Sequence, residues 1–255
     1  MPLRAYSTAL VPLIAMLASA TPATAQTSGA LLIWPVDPVI EAKQNATALW
    51  LENSGKTPKT LQVRVFAWAQ KDGHNVYAAQ DDVIGSPPIL TIAPGQRQLV
   101  RLTRTVPPSD EPEQAYRVIV DEIPVPHPTG ASAGASVSFR MRYSIPLFSY
   151  AQGMPPDLRD TIKTQHVKRA LKWRVGQDAD GRYLEVKNEA KIHARLVDVA
   201  FSTGDDASPV AKGLLGYVLP GSTARWPLPN ETQASATLVT TLNGIPSTTI
   251  PRLAN

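Results

Sequence analysis

No stretch of this chain keeps a helical period. Short runs of alternating apolar and polar residues are instead cut at close intervals by Pro, Gly, Asn and Asp. Side chains that alternate between two faces belong to strands with one buried and one wet side, and such punctuation belongs to the turns between them. With 24 prolines in 255 residues, a helix-rich fold is excluded, because an interior proline breaks the helix that holds it. The expected class is all-β. The length allows one large domain or two ordinary ones.

The expected strands are short. Leu31 to Ile40 is extended, with Pro35 and Pro38 marking an edge strand or a switch between sheets. Thr47 to Asn53, Leu61 to Trp68, Ile89 to Ile92, Gln98 to Leu102 and Tyr116 to Ile123 follow, with a turn at Asp72-Gly73. Pro124 to Ala135 is rich in Pro, Gly, Ala and Ser, offers little to bury, and reads as a mobile loop. Ala151 to Pro156 breaks the pattern as a linker would, and a short helix or turn is expected around Asp157 to Thr161. Beyond it, Ala170 to Val175 and Tyr183 to Asn188 flank the hairpin signal Asp180-Gly181. Further strands are expected at Ala194 to Phe201, Gly213 to Val218 and Ser235 to Leu242, with turns at Pro220-Gly221 and Asn243-Gly244. The organisation is therefore a leader at 1–25, a first β-sandwich domain at 26–150, a linker at 151–156 and a second at 157–255.

That leader carries Arg4, an apolar run from Ala9 to Ala18 and the small-x-small triplet Ala23-Thr-Ala25. It reads as a cleaved secretory signal peptide, too short to span a bilayer. Export normally permits disulfides, yet there is no cysteine, so the fold rests on its cores. The net charge of +4 is spread without a dense basic run, which does not indicate nucleic-acid binding. The four histidines stand singly, away from metal-ligand spacing, and read as surface or loop residues. Asp178 and Asp180 are explained by the hairpin beside Gly181, and the five tryptophans by packing and domain contacts. No nucleophile elbow or phosphate loop appears, and Asp121 and Glu122, adjacent on a strand, point to opposite faces. The sequence supports neither an enzyme nor a cofactor.

The most informative stretch is Ser136 to Phe148. From Val137 to Leu147 every odd position is apolar, while Ser136, Ser138, Arg140, Arg142 and Ser144 alternate with them. Pro146, lacking an N–H, favours an edge strand. Two readings are open: an amphipathic strand packing on its own core, or a strand lent to another protein.

Several blocks, in order, resemble those of the PapD-like periplasmic chaperones of chaperone–usher pilus assembly. They are Leu49-Trp-Leu-Glu-Asn53 with Val63 to Trp68, and Pro87 to Gly95 with Gln98-Leu-Val-Arg-Leu102, which is similar to the strand carrying a structural arginine. Tyr116 to Pro124, ending Glu-Ile-Pro, resembles the family's most recognisable signature. Leu184 to Asn188, Tyr217 to Ser222 and Trp226-Pro-Leu228 resemble second-domain strands. Trp34-Pro-Val-Asp-Pro and Tyr143 to Phe148 look like the archaic branch of the family. The resemblance implies two immunoglobulin-like sandwiches in a boot with a cleft between them. It also implies a periplasmic, non-enzymatic role: capping pilus subunits by donor-strand complementation and delivering them to an outer-membrane usher, without stable membrane insertion. The donor residues would be Val137, Phe139, Met141, Tyr143 and Ile145.

The chain departs from the best-known members at their carboxylate anchor. An arginine of the first strand and a lysine of the donor strand fall at Asp37 and Pro146 here, and an interdomain arginine falls at Tyr150. Glu122 matches the glutamate that helps lock the domains, so Glu122 and Tyr150 are the interdomain candidates. A hairpin centred near Gly130 sets Arg117 near Tyr143 and level with Arg142, making Arg117 and Arg142 the candidate replacement anchor. The rival readings are a secreted adhesin or carbohydrate-binding module, which would need exposed aromatics on a loop face, and a cleft hydrolase, which would need a nucleophile–base pair.

Overall fold

The computed structural model describes residues 31–124, 140–151, 161–203, 206–230, 232 and 237–253. The leader, residues 125–135 of the expected loop, Val137 and Phe139, residues 152–156 of the linker and residues 157–160 lie outside them.

Two sheets form the first sandwich. One runs in the order β1 (Leu31–Trp34), β3 (Ala46–Asn53), β8 (Arg97–Arg104), β6 (Val83–Ser86). The other runs β2 (Val39–Ile40), β10 (Arg142–Tyr150), β9 (Glu113–Ile123), β4 (Lys59–Lys71), β5 (His74–Ala78), with β7 (Ile89–Ile92) also on β4. The chain switches sheets between β1 and β2, across Pro35 and Pro38. That is the second of the two options the prolines left open. Alternation does the folding: Leu49 and Leu51 of β3, Val100 and Leu102 of β8, and Tyr116, Val118 and Val120 of β9 all turn inward and are buried.

The second sandwich pairs β11 (Leu171–Asp178), β12 (Gly181–Asn188) and β15 (Thr223–Pro227) in one sheet. Its other sheet is β14 (Asp206–Val218), β13 (Ala194–Thr203), β16 (Thr237–Leu242), β17 (Ile245–Ile250). The Asp180-Gly181 and Asn243-Gly244 turns close hairpins, with Gly181, Asn243 and Gly244 at positive φ as tight reversal requires. The fold is thus two β-sandwiches with one helix among the described residues, α1 (Thr161–Ala170). That helix is longer than expected and begins where the expected one ends. Among its described side chains, Thr164 and Val167 are buried, and no hydrophobic period in the sequence announces it.

The two cores are not separate in the same way. One lies wholly within the first sandwich. The other fills the second sandwich and continues into the first through Trp68, Phe148 and Tyr150. β10 therefore serves two masters: Ile145 and Leu147 face the first core, Phe148 and Tyr150 the second. Its C-terminal end is pinned by Arg104, buried on β8. This guanidinium donates to Ser149 Oγ (2.9 Å), the Tyr150 carbonyl (3.3 Å) and the Gln44 carbonyl (2.7 Å). The structural arginine of that strand is Arg104 rather than Arg101, which points to solvent.

Candidate functional site

β10 is an edge strand for most of its length. On its inner side it pairs with β9 from Arg142↔Asp121 to Tyr150↔Glu113. On its outer side β2 pairs with Phe148 and Ser149 alone, leaving Arg142 to Leu147 without a neighbour among the described residues. Backbone donors and acceptors along such an edge are a template for another chain. β1 is likewise the edge of the other sheet. Between β1 and β10 the first sandwich is open, and the opening runs into the space between the sandwiches as one cleft of about 830 Å³. Ile33 and Val36 line one side of it, Tyr143 to Pro146 the other, and Leu214, Tyr217 and Trp226 close it from the second sandwich.

Exposure falls along the odd face of β10. Met141, just before the strand, is 49% exposed, Tyr143 is partly buried against the first core, and Ile145 is 7% exposed inside it. Ile145, expected to face a partner, packs on the first core in the free chain while still bordering the cleft. The even face carries Arg142 and Ser144 outward.

The register also corrects the paired arginines. Arg117 lies opposite Pro146, and Tyr143 opposite Val120, a slip of three residues from the expected alignment. Burial sets this register: Tyr143, Ile145 and Leu147 come to lie across from Val120, Val118 and Tyr116. Arg117 and Arg142 share a face but stand four positions apart, about 13 Å along the strands. Arg142 is also taken. It donates to Asp121 (2.5 Å), which accepts from Arg64 as well (2.6 Å), and these two guanidinium groups, Arg142 first, hold the Asp121 carboxyl below its ordinary pKa.

Arg117 is in a different state. Its guanidinium lies 3.8 Å from the Trp68 ring centroid and 5.6 Å from that of Tyr217, beside the Tyr77 hydroxyl. Burial pulls its pKa down, the two tyrosines opposing, and its Nε is buried without an acceptor. Among the described residues it forms no ion pair. It is a caged cation with an open side toward the cleft.

Glu122 does not join the sandwiches. Its carboxylate accepts from Lys59 (2.6 Å) on the neighbouring β4 of the same sandwich. The junction does hold the other candidate, Tyr150, but most of its polar contacts come from residues that sequence reasoning passed over. Glu113, at the start of β9, accepts from the His193 backbone N–H (3.0 Å) and lies 2.8 Å from His193 Nδ1, with both side chains buried. His193, in the loop just before β13, stacks on Phe148 at 3.6 Å, so it is a buried interface residue and not a surface one. Gln70 donates to the Tyr217 carbonyl (2.8 Å) and accepts from the Leu219 N–H (2.9 Å). Tyr150 is buried in the joining core, where burial, then Glu113, pushes its phenol pKa up. No local pattern marks a glutamate and a histidine 80 positions apart.

Gly73, in the β4–β5 turn, is the last contact. Its carbonyl accepts from the Arg225 N–H at 2.9 Å, and a Cβ there would meet Arg225 Cγ at 2.5 Å. Its φ of +86° also disfavours other residues. Gly73→Val is expected to destabilise the protein by about 1–3 kcal/mol, read by urea unfolding. An unchanged midpoint would show that Arg225 moves aside freely.

The comparisons agree with this architecture. Residues 36–154 match the family described as pili and flagellar-assembly chaperone, PapD N-terminal domain. No curated protein sequence matches. Among solved structures, a chain of the CsuC–CsuE chaperone–tip adhesion subunit pre-assembly complex, from archaic chaperone–usher Csu pili of Acinetobacter baumannii, is 36% identical with a TM-score of 0.68. That match covers 88% of this chain and 100% of the other. The E. coli chaperone DraB (17% identity, TM-score 0.58, covering 84% and 89%) is similar in fold. So is a chain of the Salmonella enterica SafA pilin–SafB chaperone complex (15%, 0.59, covering 85% and 90%).

Proposed function

Because this chain belongs to the PapD-like pilus-assembly chaperones, in their archaic branch, we propose that it caps fibre subunits in the periplasm. It does so by lending them the alternating stretch from Val137 onward, and it passes them to an outer-membrane usher. The observation that carries this reading is the unpaired outer edge of β10, lying beside a sandwich that is open between β1 and β10. A subunit short of one strand exposes an apolar groove and would aggregate. An edge strand supplies main-chain hydrogen bonds to that groove while its alternate side chains fill it.

Val137, Phe139 and Met141 are the side chains for the groove, with Tyr143 at the boundary between partner and own core. Full burial of each would contribute about 1.5–3 kcal/mol, offset by the cost of ordering. Arg117 is the cation for a subunit carboxylate: charged, caged by aromatic rings and open to the cleft. Arg142, paired with Asp121, positions the strand instead. Residues 1–25 act as the export signal, and 26–150 and 157–255 as the two domains. Strand exchange consumes no nucleotide or cofactor.

Co-expression in a bacterial periplasm with a pilin of the archaic type, which aggregates alone, tests this. A soluble one-to-one complex is expected, and Arg117→Ala is expected to weaken it by about tenfold or more. A pilin that stays insoluble beside well-folded wild-type protein would overturn the reading.

A further inference from the structure

One leucine of the cleft is held in solvent by a built kink. The pairing of β14 with β13 slips at Leu215: Leu196 lies opposite Gly216 and Val197 opposite Leu214, so Leu215 has no cross-strand partner. A second slip follows at once, because Val199 lies opposite Ala211 and Asp198 therefore faces Lys212 and Gly213. The Gly213 N–H donates to Asp198 Oδ1 at 2.7 Å, and the two residues have φ of +75° and +51°. For Asp198 that backbone is unfavourable, and the hydrogen bond and the flanking ladders hold it there. Bulges of this kind re-aim side chains. Here the result is Leu214, 52% exposed at the cleft wall, while its neighbour Leu215 packs on the second core. On the other side of the cleft the first sandwich presents Val36, 64% exposed, from the connection between β1 and β2. Of the large apolar side chains that line the cleft, these two are the exposed ones.

We propose that Leu214 and Val36 form a two-sided apolar grip on a bound subunit, taking one of its apolar side chains between them. The occupant is the subunit and not a separate partner, because one continuous cleft holds both residues and the unpaired β10 edge from Tyr143 to Pro146. This rests on the reading that β10 caps a subunit, and it adds the second sandwich as a selector of which subunit is held. Neither residue belongs to the alternating series of the lent stretch. Main-chain pairing along β10 is blind to sequence, whereas an apolar pocket discriminates by the size and shape of what fills it. A leucine and a valine left in water by the free fold gain burial only when that side chain arrives. The kink at Asp198 and Gly213 fixes the aim of Leu214 before binding, so little ordering remains to be done there.

The test uses the whole protein in complex with a co-expressed pilin of the archaic type, and follows release of the pilin to an excess of tagged wild-type protein. Leu214→Ser and Val36→Ser replace exposed side chains, so both variants are expected to keep the wild-type melting temperature. Each is expected to release the pilin about tenfold faster or more. The double variant is expected to lose less than the two factors multiplied, because one subunit side chain touches both residues. Leu99→Ser removes a leucine that is exposed on β8, away from the cleft, and is expected to change nothing. A wild-type release rate in a folded Leu214→Ser protein would overturn the grip and leave the chaperone reading intact. So would an equal effect of Leu99→Ser, or full multiplication in the double variant. A wild-type protein that captures no pilin would overturn both.

Discussion

Glu113→Ala is expected to lower the melting temperature by roughly 10 °C, through a loss of about 3–5 kcal/mol. The carboxylate it removes is buried and accepts from the His193 N–H while facing His193 Nδ1 at 2.8 Å. Without it, polar groups of His193 are left in a dry interface whose other walls are Phe148, Tyr150 and Tyr217. Glu113→Gln keeps the shape and one acceptor oxygen, and is expected to cost less than half as much. The loss should also change how the protein unfolds. Phe148 and Tyr150 belong to the second core while their strand belongs to the first sandwich, so the wild type is expected to melt in one transition. Calorimetry of Glu113→Ala should resolve two. A single transition within 2 °C of the wild type would mean that Gln70, Gly73 and the aromatic contacts hold the junction unaided.

How much of this was legible beforehand follows the range of the interactions. Turns at Asp72-Gly73, Asp180-Gly181 and Asn243-Gly244 could be read because a positive φ within two residues decides them. Strands with one buried face could be read because alternation is local. β5 could not: His74 to Ala78 is exposed throughout, with no buried face to announce it, and pairs with β4. The β9–β10 register was misread because the midpoint of a long connection does not set it; burial of Tyr143, Ile145 and Leu147 against β9 does. That signal was present, since sliding one apolar series over the other finds the match. Glu122 was misassigned for a different reason. Its neighbour Lys59 is on an adjacent strand, and a cross-strand partner satisfies a carboxylate as well as one from another domain. The cage around Arg117 needed the second sandwich in place, because Tyr217 belongs to β14.

The graded exposure of β10 gives the largest functional prediction. Met141→Asp is expected to leave the isolated protein as stable as the wild type, within about 0.5 kcal/mol, because the native side chain is half exposed. In a subunit groove the same carboxylate would be buried without a partner, a cost of several kcal/mol that lowers subunit affinity about a hundredfold or more. Ile145→Asp places the charge four residues on, in the first core beside Leu147 and Val118. It is expected to cost about 3–5 kcal/mol of folding free energy or abolish folded protein outright. The pair of variants locates the point along one alternating series where the strand stops serving a partner and starts serving its own domain. Folded yield, urea midpoint and complex recovery on co-expression read all three quantities. A stable Ile145→Asp protein that merely fails to bind would return Ile145 to the partner-facing set. A Met141→Asp protein that unfolds would make the whole odd face core, and the strand would have nothing left to lend.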